Sequence, residues 1–203
     1  MSGNPIREPQ QKRSMEKKER ILTAAYSVFC KNGYYDTNTS QIAAEAGVSV
    51  GCLYAYFTDK HAIFMETYER YHKQFEKMHL VFDKMLSEQA DPKKWFRVYM
   101  ELLIKAHDDS LDFQREIKML YYRDPDVKAR ADWQHDQIQE VALKYLKMAR
   151  NLTDVDDLEG AAVVSSIMIS AVVDQISLCE NKIDRERILN EAVKALCRYL
   201  GMN

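Results

Sequence analysis

The sequence predicts an all-α protein of about nine helices. Gly and Pro together account for only ten of the 203 residues. No run alternates apolar and polar residues as a half-buried strand would, while apolar residues recur at steps of three and four along most of the chain. These stripes are preceded by capping residues and followed by Gly or Pro, so helix ends can be read as well as helix faces.

The first helix is expected from Met15 to Asn32, where Ile21, Leu22, Ala25, Val28 and Phe29 make one stripe and Gly33 ends it. Residues 1–14 read as a disordered or basic arm. Arg7, Lys12 and Arg13, followed by Lys17, Lys18 and Arg20, outnumber Glu8, Glu16 and Glu19. Such a run is either a phosphate contact or a solvated tail.

Thr37 to Lys60 reads as two short helices around a four-residue corner. Ile42, Ala43 and Ala46 keep helical spacing, Gly47 interrupts it, and Val50, Leu53, Tyr54 and Phe57 resume it. Thr39 is the expected N-cap of the first of these helices, with Thr37 competing. Gly47 suits a left-handed corner residue, because it has no Cβ to clash. Ser49 can cap the second helix, expected from Val50 to Phe57. This is the shape of a helix-turn-helix.

Thr58 is then expected to cap a long helix, with Phe57 packing back on Ala62 or Ile63. Its stripe, Phe64, Tyr68, Tyr71, Phe75, Met78, Phe82 and Met85, serves core packing and carries the helix out of the N-terminal unit as a mechanical link. Asp91-Pro92 starts another helix bearing Trp95, Phe96, Tyr99, Leu102, Leu103 and Ala106. His107-Asp108-Asp109-Ser110 breaks it. A shorter helix carries Leu111, Phe113, Ile117, Leu120 and Tyr121, and Asp124-Pro125 opens a long one reaching about Leu152.

After a connector at Asp154 to Asp157, residues 158–179 are apolar nearly all round, so that helix needs cover on several sides. Ala162, Ser166, Ser170 and Asp174 fall four apart on it as a narrow face of small and polar groups. The last helix, Asp184 to Leu200, is amphipathic through Ile188, Leu189, Ala192, Val193, Leu196 and Leu200, with Gly201 as its stop. These two helices are the expected subunit interface, at about 158–179 and 184–200.

Whole-chain charge is balanced, but its distribution is not. Residues 1–60 hold eight Lys/Arg against six Asp/Glu, leaving 21 against 25 for the rest. Cys30, Cys52, Cys179 and Cys197 lack metal-site spacing and each falls in an expected helix, which favours reduced thiols in a cytoplasm. The first fifteen residues contain no apolar signal core. Gly160 to Val173 falls short of the roughly 20 apolar residues a membrane span needs.

The stretch ERILTAAYSVFCKNGYYDTNTSQIAAEAGVSVGCLYAYFTDKHAIF resembles the DNA-binding domain of the tetracycline-repressor (TetR) family of transcriptional regulators. The resemblance rests on the AA-x3-F of helix 1, the Asn-Gly-Tyr turn, Ile42-Ala43, Ala46-Gly47-Val48-Ser49, Gly51-x-Leu53-Tyr54, and Phe57 followed by Lys60. It implies a DNA-binding domain at 15–60, a larger ligand-binding and dimerisation domain at 61–203, and a homodimer on a palindromic double-stranded operator. It also implies repression relieved by a small molecule.

By the same resemblance, Thr39, Tyr54, Tyr56 and Lys60 would contact phosphates. Ser40, Ser49, Val50, Gly51 and Cys52 would face base edges, and Tyr54 would alternatively pack on helix 1. Two positions depart from the family pattern. Val stands at 50, where a long polar or basic residue is frequent, and Tyr at 56, where His is frequent. Val50 offers only methyl contact to thymine, so specificity is expected to lean on Ser40, Ser49 and DNA shape.

Trp95, Tyr99, Phe113, Met119, Tyr122, Trp133 and Met168 form an aromatic and Met-rich set suited either to lining a pocket for a small apolar or aromatic ligand or to core packing. Asp174, an acid in an apolar helix, needs a partner: a ligand in the pocket, or a cation across the dimer interface. His107-Asp108-Asp109 reads as a metal group or a solvated cap. No HExxH, nucleophile elbow, P-loop or dinucleotide-binding glycine pattern is present. The expectation is a regulator without enzyme activity, resident metal, cofactor or membrane partner. A fold that has lost operator binding is the alternative.

Overall fold

The computed structural model describes residues 7–76 and 91–202. Among these it is all-helical: α1 (Arg7–Asp36), α2 (Thr39–Glu45), α3 (Val50–Tyr54), α4 (Lys60–Glu76), α5 (Pro92–Asp108), α6 (Leu111–Tyr121), α7 (Pro125–Met148), α8 (Leu158–Leu178) and α9 (Arg185–Tyr199). A short 3-10 turn, Arg150–Leu152, follows α7. Met78, Phe82 and Met85 of the expected stripe lie outside the described residues, as do residues 1–6 of the expected arm.

The chain divides into two compact units, Met1–Lys73 and Gln74–Asn203. The expected boundary after residue 60 thus moves into α4. The reason is packing: Ile63, Phe64, Thr67, Tyr68 and Tyr71 of α4 are buried in the first unit. Phe64 meets Phe29 of α1 edge to face at 5.2 Å and Tyr34 at 5.1 Å. Lys18 pairs with Glu66 at 2.6 Å, and Arg70 donates to Thr23 at 2.8 Å.

In the first unit α1 starts at Arg7, earlier than expected, so part of the expected arm is helical. Its regular geometry breaks at Gly33, φ 79°, where the sequence put the stop. Ile21, Leu22, Ala25 and Phe29 are fully or almost fully buried, together with Ile42, Ala43, Leu53 and Phe57.

The second unit stacks α5, α7, α8 and α9 around Trp95, Phe96, Met100, Tyr145, Leu146, Ile176, Leu189, Val193 and Leu196. Asp91 caps α5 by accepting from Lys93 N at 2.9 Å, and Asp124 caps α7 by accepting from Asp126 N and Val127 N. Asp184 caps α9 in the same way, and Gly201, φ 65°, follows its end. The first two are the termini that the Asp-Pro signals predict.

Two expectations change in α8. The helix itself, Leu158–Leu178, falls where it was expected, but its 21 residues hold an 18-residue window of mean hydropathy 1.7, so by length and composition alone it is long enough to cross a membrane. The run from Gly160 to Val173 is shorter because Asp174 is an interior residue of the helix and not its end. Ala161, Ala162, Ser165, Ser166, Val173 and Ile176 are buried. Val163, Val164, Ile167 and Ala171 form an exposed stripe at helical spacing. The four cysteines are free, and Cys179 sits just beyond α8 rather than inside a helix.

Candidate nucleic-acid interface

The first unit presents α2 and α3 at its surface, and each local feature follows from its residues. α2 is capped by Asn38, not by Thr39 or Thr37. Asn38 Oδ1 accepts from Gln41 N at 3.0 Å, and Gln41 Oε1 accepts from Asn38 N at 2.8 Å, a complete capping box. Thr37 is buried and its hydroxyl donates to Gly33 O at 2.6 Å, closing the end of α1. Thr39, displaced into the first turn, shares a hydrogen bond of 3.1 Å with Tyr54 Oη and so ties α2 to α3.

At the corner Gly47 has φ 62°, the left-handed value its sequence position suggests. Ser49 Oγ accepts from Cys52 N at 3.1 Å and caps α3. α3 ends at Tyr54, three residues earlier than expected. Tyr56 N and Phe57 N then both donate to Leu53 O, at 3.0 and 3.1 Å, and the chain turns so that Phe57 enters the core beneath the Lys18 ammonium.

The expected base-facing residues share this surface. Ser40, Ser49, Val50 and Gly51 are exposed and Cys52 is half-buried. Only Leu53 of α3 is buried. A Cβ built on Gly51 would meet nothing within 4 Å. No internal contact therefore requires glycine there, although a helical Gly costs about 1 kcal/mol relative to Ala. Tyr54 is half-exposed. Tyr56 Oη accepts from Ser14 at 3.2 Å, which links α1 to the segment after α3.

Lys60 departs from expectation. Its ammonium donates to the carbonyls of Tyr34 and Thr37, both at 2.7 Å, and of Tyr35 at 3.4 Å. It also lies 4.5 Å from the centre of the Tyr34 ring. Burial lowers its pKa, and Asp36 partly offsets this. A cation in the first turn of its own helix looked to need a phosphate; the carbonyls ending α1 supply that negative partner instead. Asp59, not Thr58, caps α4, accepting from Ala62 N at 2.7 Å. Sequence reasoning also missed Asn38, although Asn-x-x-Gln is a readable capping-box pattern.

In the second unit the expected ligand set divides. Trp95 and Phe113 are buried, Tyr99 is deep enough that burial pushes its hydroxyl up to about 12, and Met168 packs against the core. Met119 is exposed, Tyr122 is 86% exposed and Trp133 is 52% exposed. These three therefore line no interior space, since the faces of α6 and α7 they occupy turn outward. Trp133 stacks under the Arg130 guanidinium at 4.5 Å, and Tyr122 meets Tyr121 at 4.9 Å.

Asp174 finds its partner inside the chain: Lys118 of α6 pairs with it, and His107 Nδ1 of α5 lies 3.9 Å from its other oxygen. Neither expected partner, a bound ligand or a cation of a second subunit, is needed to balance its charge. Phe75 meets the His107 ring edge to face at 5.9 Å. Burial lowers the His107 pKa, with Asp174 opposing and Lys118 assisting. Asp108 is bidentate to Arg185 at 2.8 and 2.7 Å, so His107-Asp108-Asp109 splits between two separate ion-pair systems instead of converging as a metal group. Two open clefts of about 540 and 340 Å³ flank the Asp108–Arg185 pair, and none of the eight candidate ligand residues lines either.

Residues 21–67 match the family described as bacterial regulatory proteins, tetR family. The chain is 42% identical over 62 residues to the HTH-type transcriptional regulator HbdR of Aromatoleum sp. (strain CIB), a match covering 27% of each protein. The chain spans only about a fifth to a third of the curated relatives it matches. Similarity of fold extends further. A TetR-family regulator structure from Mesorhizobium loti MAFF303099 superposes with a TM-score of 0.72 over 92% of this chain and 98% of that one, at 22% identity. FadR of Thermus thermophilus, a TetR-family repressor solved with lauroyl-CoA, gives 0.61 over 90% and 92%, at 20% identity.

Proposed function

We propose that this chain, which matches the tetR family of bacterial regulatory proteins over residues 21–67, is a transcriptional regulator and not an enzyme, and that it represses by binding a palindromic operator as a homodimer that a small molecule releases. The carrying observation is the α2–α3 surface. Ser40, Ser49, Val50 and Gly51 are exposed on two short helices anchored in the core by Ile42, Ala43 and Leu53, and no internal contact requires the glycine. A bare backbone at Gly51 admits close approach to a major-groove edge.

Thr39, Ser40, Ser49, Val50, Gly51, Cys52, Tyr54 and Tyr56 make up the contact set, from which Lys60 is withdrawn. With Val50 limited to methyl contact, thymine methyls and duplex shape carry much of the discrimination. The second copy covers the exposed Val163, Val164, Ile167 and Ala171 stripe of α8, with α9 beside it. An apolar or aromatic ligand would have to open the interior at Trp95, Tyr99, Phe113 and Met168, which line neither cleft. An acyl group of the kind bound by the Thermus thermophilus neighbour is one candidate class. The site of action is the cytoplasm, where the operator is.

Selection of duplexes from a random pool by the purified chain, followed by fluorescence anisotropy and sedimentation, tests this. The expected product is an inverted repeat bound by two chains, with a preference over scrambled duplex that survives added salt. Enrichment of no sequence, or binding by a single chain to a non-repeated site, defeats the reading.

A further inference from the structure

The corner between α2 and α3 is held by a cation from outside it. The end of α2 closes on itself, Val48 N donating to Ala43 O at 3.0 Å and Gly47 N to Ala44 O at 3.1 Å. Among the described residues, no backbone amide reaches the carbonyls of Ala46 and Gly47. Arg20 Nη2 donates to both, at 2.6 and 3.3 Å. Arg20 lies on α1 next to Ile21 and Leu22, which are buried, so a fixed helix delivers the guanidinium.

We infer that Arg20 is a positioning residue for base reading: by bracing the Ala46–Gly47 corner it sets the direction in which α3 presents Ser49, Val50 and Gly51. The inference rests on the DNA-binding reading of α2–α3. α3 has five residues and one buried side chain, Leu53, and a helix with one apolar anchor can tilt about it. The Thr39–Tyr54 hydrogen bond restrains its far end, and Arg20 restrains the corner two residues before Ser49. Base readout tolerates only small angular errors, whereas attraction to phosphates tolerates large ones. The same position, read from sequence, belonged to the basic stretch offered to phosphates; the geometry turns it inward. Gly47 is part of the device, since a Cβ there would lie 3.1 Å from Arg20 Nη2.

The test compares wild type, Arg20→Met and Arg20→Lys on a duplex that wild type selects from a random pool and on a scrambled duplex of equal composition, at four salt concentrations. Arg20→Met is expected to lose about tenfold on the selected duplex, little on the scrambled one, and to leave both salt slopes unchanged. Arg20→Lys, whose ammonium can still reach one carbonyl, recovers part of the discrimination. A salt slope shallower by about 0.9, with the selected-to-scrambled ratio intact, makes Arg20 a phosphate contact and overturns the inference. An unchanged ratio in whichever variant remains folded also overturns it. Failure of wild type to select any duplex removes the DNA-binding reading itself, and so is distinguishable from failure of Arg20 alone.

Discussion

α3 and α8 solve opposite problems. α3 is five residues long, buries only Leu53 and leaves Val50, Gly51 and Tyr54 to water, so its neighbours supply almost all its stability. α8 is 21 residues long, buries one side in the second unit and leaves Val163, Val164, Ile167 and Ala171 exposed on another. Exposed apolar area forgoes about 25 cal/mol per Å², a cost that a second copy would remove. On the proposed reading, the exposed face of such a borrowed helix is where the chain meets DNA. On the same reading, the apolar face of a self-sufficient helix is where a second copy docks.

The hardest blow to this contrast is Ile167→Glu, which puts a charge in the middle of the α8 stripe, 58% exposed in the single chain. The single chain should fold as before. Losing an Ile burial from each copy, at about 1.5–3 kcal/mol each, and opposing two carboxylates, should weaken dimerisation by about a hundredfold or more and abolish tight binding to an inverted repeat. Sedimentation showing an unchanged dimer would mean that the α8 stripe is not the interface.

The converse blow falls on α3. Leu53→Ala removes its only buried side chain, fully buried in the native chain, at a cost of about 2–5 kcal/mol to the first unit. Both tryptophans, Trp95 and Trp133, belong to the second unit, so their fluorescence reports on that unit alone. The expected outcome is loss of DNA binding with tryptophan emission and dimerisation intact. A shifted emission maximum would mean that the units do not hold their structure independently.

What could be read from the sequence divides along the same line. Helix faces and stops were legible because Gly33, Gly47, Gly201 and the Asp-Pro pairs act locally, and a local signal needs no knowledge of the fold. The corner at Gly47-Val48-Ser49 was equally legible. Long side chains were not. Lys60 and Arg20 both looked like solvent cations awaiting phosphate, because sequence gives no hint of which carbonyls lie about 25 residues away in the chain and a few ångströms away in space. Asp174 failed for the same reason: its partner Lys118 is 56 residues distant. Met119, Tyr122 and Trp133 failed because composition names a set suited to a pocket without saying which way each helix is turned.

Lys60→Met sharpens the first of these corrections. The variant should lower the melting midpoint of the first unit by a few degrees, read by far-UV circular dichroism, since three carbonyls lose their cationic donor. The slope of log affinity against log salt should not change. A slope shallower by about 0.9 with unchanged melting would return Lys60 to the phosphate contacts.

The smallest expected effect lies in the polar node of the second unit. His107 titrates near 6.5 in an unfolded chain and lower in the folded one, because burial disfavours its charged form. Well above 6.5 both states are neutral there and His107 adds no pH dependence. Below it the unfolded chain takes up a proton that the folded chain resists, so stability falls with falling pH and levels off beneath the folded value. Urea midpoints followed by tryptophan fluorescence between pH 7.5 and 5 should therefore drop less in His107→Leu than in wild type. Asp174→Asn should drop more, because Asp174 is the group that props the folded pKa up. Identical pH profiles for wild type and His107→Leu would show that the imidazole is solvated after all, and that Lys118 and Asp174 form the node without it.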